Sequence, residues 1–414
     1  MSGPAPRAKG GVFRSLRNRN YRIWAGGALV SNVGTWMQRI AQDWLILTQL
    51  THHDARAVGV VIGLQFAPQV LLLPWTGYAA DHLDRRKLLA ATQAAMGLLA
   101  AGLGLLTLSG MARAWHVYVF AFLLGCAAAF DAPVRQSFVS DLVGEDLLPN
   151  AVALNSTSFN ASRLVGPAIA GVLMAALGTG WVFLINAGSY AAVLMSLTLI
   201  RGAELYSAGR AKAPRGKLAD GFRYVWARPD LRAVLLMLFV VGTFGLSFPI
   251  YISTMAVSVF HVGASGFGLL TSAMAVGSVT GAMLTARRER PTVRHLIVAA
   301  AIFCTACTLA ALAPSYGLFA LVLMLVGVAS QTFNTSSIGL VQMSTDAHMR
   351  GRVMAILLAI ALGGQPIGAP LVGWIANTFG PRWAIGLAAL AGLAAMVVGL
   401  GYLARRPEDR VRVV

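Results

Sequence analysis

The chain has 414 residues, of which 57% are hydrophobic and only 12% charged, with a net charge of +18. A soluble domain carries about 25% charged residues, so these figures exclude an ordinary soluble enzyme or binding module and specify a polytopic membrane protein. The apolar runs reach ~20 residues or more, not the ~10-residue alternating strands of a barrel, so the expected fold is all-α.

Residues up to Arg22 are basic and polar, with no short apolar core ahead of a cleavage site, which keeps the N-terminus in the cytoplasm. Twelve spans follow, near 23–50, 56–80, 88–109, 115–138, 150–177, 180–200, 232–260, 265–286, 294–313, 316–342, 352–378 and 382–404. An even number puts both termini on one side. Taking that side as inner, its segments hold 28 Lys and Arg against three (Arg56, Arg113, Arg382) in the outer loops. Basic residues concentrate on the cytoplasmic side of cell-membrane proteins, so both termini are expected there. This inner face accounts for the net charge and attracts anionic lipid headgroups; it argues against nucleic-acid binding. The longest polar stretch divides the chain into a six-helix bundle over 1–200, a cytoplasmic loop over 201–231 and a second six-helix bundle over 232–414.

The first span holds charge where charge is expensive. Arg39 and Asp43 stand within an apolar helix, at about 2.5 to 3.5 kcal/mol each near a helix centre. They are one turn apart and able to pair. At ~100° per residue, Asn32 shares their face, with Trp36 and Gln42 nearby. Such residues face a water-filled path or another helix; a buried pair that fixes packing is the alternative.

Span two closes with Gly77-Tyr78-Ala79-Ala80-Asp81-His82-Leu83-Asp84-Arg85-Arg86. This resembles the inner-loop signature of the major facilitator superfamily, G-x-x-x-D-x-x-G-R-R/K. Asp84 stands in place of the family's Gly, and Asp tolerates left-handed backbone better than most residues. The resemblance implies a latch: Gly77 for close packing, Asp81 accepting from a helix N-terminus, Arg85 and Arg86 at the surface. The second-half copy has Thr285 in the place of Asp81. Asp131-Ala132-Pro133-Val134-Arg135 ends span four and offers an i, i+4 pair for a gate.

Span five carries Arg163-Leu164-Val165-Gly166-Pro167-Ala168-Ile169-Ala170-Gly171, similar to the family's antiporter motif with its G-P-x-x-G core. Its final Gly is displaced by one residue. Pro167 frees a carbonyl and Gly166 permits close packing. Asn160 lies on the face of Arg163, which serves either the cavity or a neighbouring acid as counterion. The run also resembles 364–373 in span eleven, as expected of two parallel halves. In the second half Phe248, Gln331, Asn334 and Gln365 are candidates for a neutral, aromatic-lined wall suited to apolar ligands.

Residues 36–44, 130–136 and 163–167 are most similar to the branch of enterobactin and macrolide exporters. That resemblance implies a monomeric, proton-coupled exporter of an amphipathic small molecule such as a drug or siderophore. In that reading two halves rock around a central cavity, and Asp43 carries the proton in competition with Arg39. A lipid transporter of the same fold, or a scaffold that moves nothing, are the alternatives. No Walker loop, H-E-x-x-H or G-x-S-x-G occurs, so neither an enzyme nor a cofactor is expected. Cys304 and Cys307 read as small packing residues rather than a metal pair.

Overall fold

The computed structural model describes residues 13–206, 218–286, 291–346 and 348–405; the side chains of Pro74, Ala80, Asp81 and Leu218 lie outside that set. Among the described residues the fold is all-α, with sixteen α-helices. They are α1 Arg19–Trp44, α2 Ala55–Leu71, α3 Leu73–His82, α4 Arg85–Leu108, α5 Ala114–Leu142, α6 Leu148–Leu177, α7 Thr179–Leu199, α8 Leu218–Ala227, α9 Pro229–Val240, α10 Phe248–Thr254, α11 Ala264–Ala286, α12 Val293–Leu312, α13 Tyr316–Ser344, α14 Arg350–Gly363, α15 Gln365–Phe379 and α16 Pro381–Arg405.

Ten helical segments are long and apolar enough to cross a membrane. Neither α1 nor α2 is among them, for different reasons. In α1 the polar residues Asn32, Gln38, Arg39, Gln42 and Asp43 dilute the apolar run. The span expected over 56–80 breaks at Leu72, two residues before Pro74, so α2 is 17 residues long and α3 continues it. Proline removes a backbone donor and crowds the preceding turn. The same device divides α14 from α15 at Gly364, before Pro366, and α9 from α10 ahead of Pro249.

In the first half α1 packs on α6 and α7, while α4 lies between α5 and α7. In the second, α11 packs on α13, and α12 lies between α13 and α16. Among the described residues the halves meet chiefly along two helix pairs, α2 with α15 and α6 with α11. Both are glycine clasps at the end away from the start of α1. A methyl group at residue 59 would stand 2.5 Å from the carbonyl oxygen of Ala369, and one at 373 would stand 2.6 Å from that of Ala55. In the other pair, a methyl at 268 would meet the Pro167 carbonyl oxygen at 2.5 Å. Small residues let backbones approach this closely.

The halves repeat one another in ways the side-chain pattern hides. After α1 a π-helical segment, Leu45–Leu50, leads to His52 at φ 48°; after α10 another, Met255–Val259, leads to His261 at φ 52°. The final helix of each half starts behind a glycine with positive φ, Gly178 at 90° and Gly380 at 102°. A side chain there would be strained.

Candidate functional site: a charged cavity between the halves

A cavity of about 290 Å³ lies where the halves meet. Helix α1 contributes Trp36, Arg39, Ile40 and Asp43, an i, i+3, i+4, i+7 stripe on one face. Ile62, Gln65 and Phe66 of α2 repeat the spacing, as do Thr271, Met274 and Ala275 of α11. Arg163 comes from α6, and the helix breaks supply Phe248 and Gln365. Discontinuous helices near a central cavity are a transporter trait, because unwound backbone is tolerated where it lines a cavity. Gln365 shows the use of a break: its side-chain amide donates to the Gly242 carbonyl at 2.8 Å, in the π-helical segment Val241–Gly245.

The lining carries two guanidiniums and one carboxylate. The guanidinium carbons of Arg39 and Arg163 stand 5.1 and 6.0 Å from the ring centre of Trp36, both within cation–π range. Phe159 meets the same ring edge-on at 5.8 Å. Gly166 makes room behind it, since a methyl there would lie 2.7 Å from Trp36 Cβ. Arg163 donates to Ser278 Oγ at 3.0 Å and reaches Gln331 Oε1 at 3.5 Å. Both belong to the other half, so Arg163 bridges the halves through neutral partners, and it makes no ion pair among the described residues.

Trp36, Arg39, Asp43, Arg163, Phe248 and Gln365 therefore meet as the sequence indicates. One expected contact does not form: Arg39 and Asp43 make no ion pair among the described residues. The i, i+4 spacing permits the pair, but Arg39 lies toward the Trp36 ring instead. Five candidates do not line the cavity: Asn32, Gln42, Asn160, Gln331 and Asn334. Gln42 is buried, Asn160 bonds back to the Ser156 carbonyl, and Gln331 acts one step removed, between Arg163 and Thr335. Gln65, Phe66, Thr271 and Met274 went unnoticed in the sequence. Their signal is the i, i+3, i+4 triplet, which an apolar packing face also produces.

The gating candidates divide similarly. Arg85 pairs with Asp141 at 2.7 Å, and Arg86 donates to the Leu197 carbonyl, so the start of α4 is tied to the ends of α5 and α7. Asp84 is not left-handed: at φ −66° it caps α4, accepting from the Lys87 amide. Gly77 brings no helix close, for a methyl there would meet nothing within 4 Å. The side chain of Asp81 lies outside the described set. Thr285 bonds back to the Gly281 carbonyl within its own helix. Asp131 is buried. Its oxygens accept from Thr92, Gln93 and Arg135 at 2.9, 2.7 and 3.0 Å, and Arg135 leans over Trp24. Cys304 and Cys307 are free thiols in α12, and no three metal-ligating side chains gather among the described residues.

Residues 10–410 match the family model described as transmembrane secretion effector. The chain is 27% identical over 353 residues to the staphyloferrin A transporter of Staphylococcus aureus, covering 84% of this chain and 87% of that protein. It is 26% identical to the multidrug efflux pump Tap of Mycolicibacterium fortuitum, over 85% and 88% of the two chains. It is 25% identical to the enterobactin exporter EntS of Citrobacter koseri, over 85% and 84%. Among solved structures, a bacterial homolog of the human lysosomal transporter Spinster, inward-facing and occupied, shares the fold with a TM-score of 0.74 at 16% identity. That match covers 96% of this chain and 99% of that one.

Proposed function

The chain belongs to the transmembrane secretion effector family, major facilitator transporters of the efflux branch rather than enzymes, and on that premise we propose that it exports an amphipathic small molecule by proton antiport. The working unit is one chain of twelve membrane helices in two six-helix bundles that rock about the cavity. The observation that carries the reading is the cavity itself. It lies between the halves, mixes aromatic walls with three charges, and stands beside glycine clasps at one end.

With basic residues inside, the clasped end faces outward, which supports reading this arrangement as an inward-facing state. Substrate enters from the cytoplasm or inner leaflet, and opening of the clasps releases it outside. Asp43 is the proton carrier because it lines the cavity and has no hydrogen-bond partner among the described residues, whereas the oxygens of Asp131 are already engaged. Linkage fixes the kind of substrate that antiport accepts. Protonation of Asp43 takes the lining from one net positive charge to two, which weakens binding of a positive group beside it and strengthens binding of an acid. A substrate exchanged for protons therefore presents a neutral or basic group to Asp43. Relatives named for siderophores and drugs support the size class.

The test is purified protein in liposomes under an imposed pH gradient, with a panel of dyes, macrolides and siderophores. Gradient-dependent accumulation of at least one compound, with binding that weakens as pH falls, supports the reading. Binding without transport across the whole panel, whatever the gradient, contradicts it.

A further inference from the structure

Sharing no lining residue with the central cavity, α9 and α16 leave a groove of about 500 Å³ at the end where α16 finishes. Its lining is sorted by depth. Arg232, in the first turn of α9, and Arg405, the last residue of α16, stand at the mouth. Leu236 is one turn deeper on α9. Val398 is two turns before Arg405, about 10 Å down at ~1.5 Å per residue. Among the described residues no acid lines the groove, and neither guanidinium has an ion-pair partner there. Leu236 is 48% exposed, so the lower groove opens sideways onto whatever surrounds the helices.

The segment ahead of α9 marks the level of the mouth. Helix α8 exposes Phe222 and Trp226, one turn apart, at 55% and 76%. An exposed aromatic face beside basic residues is how a helix lies in a membrane interface. The Arg232 guanidinium stands 5.9 Å from the Trp226 ring centre, at that same level.

An occupant must offer an anion at the interface and an apolar chain below it. We propose that this groove binds one anionic phospholipid, its phosphate between Arg232 and Arg405 and an acyl chain against Leu236 and Val398. Basic pockets between membrane helices on the cytoplasmic side select anionic headgroups in this way. Gly401 leaves the groove its width, since a methyl at that position would meet nothing within 4 Å.

The openness at residue 401 gives a variant that fills the groove without disturbing the fold: Gly401→Leu, an improvement in helix propensity. Native mass spectrometry of the full chain in detergent, titrated with phosphatidylglycerol or phosphatidylcholine, is the measurement. The wild type is expected to retain one phosphatidylglycerol in preference to phosphatidylcholine. Gly401→Leu, and separately the double variant Arg232→Gln/Arg405→Gln, should each weaken that retention about tenfold, the order expected for losing charge-assisted hydrogen bonds or the space for a chain. Millimolar inorganic phosphate should not displace the lipid. Equal retention of both lipids, unchanged retention in both variants, or complete displacement by phosphate each overturns the assignment. Transport is not part of the readout, so the result is independent of the proposed export activity.

Discussion

A single missing methyl group positions the ring at the centre of the cavity. Gly166 lies against Trp36 Cβ, and Trp36 in turn sits within reach of Arg39 and Arg163. Gly166→Ala forces α6 and α1 apart or turns the ring. It should cost about 1–3 kcal/mol, as overpacking does, and lower both the melting temperature and substrate affinity. A thermal-shift series with and without ligand checks this. The sequence makes Gly166 conspicuous as part of a motif, but it does not say which side chain the glycine accommodates. That depends on the register of α6 against α1, which is long-range. Arg39 and Asp43 are a similar case. Their spacing is legible and their presence in the cavity follows from it. Their failure to touch depends on a nearby aromatic face that helical geometry alone does not favour over the carboxylate.

At the scale of elements, two devices act at opposite ends. At the end where α1 starts, Arg85 and Arg86 tie α4 to α5 and α7. Asp141→Asn removes a partner that is 17% exposed. We expect it to slow transport about tenfold, the effect of roughly 1.4 kcal/mol on one step, and to leave substrate affinity within about twofold. Asp81→Asn should behave in the same way, since the motif that holds it belongs to the same junction between α3 and α4. A loss of binding equal to the loss of transport in stopped-flow and equilibrium assays would count against a gating role. At the other end, Gly59 and Gly373 hold α2 and α15 at backbone contact. Alanine at both positions destabilises this closed end by about 1–3 kcal/mol and should shift the protein toward a state open there. Double electron–electron resonance between spin labels at the clasped ends of α2 and α15 reports the shift as a longer distance. Arg85 and Arg86 are legible because they belong to a short sequence motif, whereas their partners Asp141 and Leu197 lie on distant segments. The clasp was only half legible: 364–373 stood out through its Gly and Pro content, but nothing in Gly59 distinguishes it from other glycines in apolar helices.

At the scale of the molecule, hydropathy alone gives the all-helical membrane fold. The breaks in it come from single residues: Pro74, Pro249 and Pro366 interrupt spans that read as continuous. The repeat of the halves was faint in side chains because it resides in the backbone, at His52 and His261 and at Gly178 and Gly380. The sidedness we propose rests on the distribution of basic residues and is open to test. Ala114→Cys, at the start of α5, should react with an impermeant thiol reagent added outside intact cells, and Ser207→Cys should not. The reverse pattern would invert the proposed topology and with it the direction of transport.

In the proposed antiport Asp43 is the group that exchanges a proton for substrate. The most direct measurement compares wild-type protein with Asp43→Asn in liposomes carrying an imposed pH gradient, following both uphill accumulation and gradient-free exchange of the same substrate. Asp43→Asn is expected to insert normally and still exchange substrate, yet fail to accumulate it. Uphill, gradient-driven transport by Asp43→Asn at the wild-type rate would contradict that role.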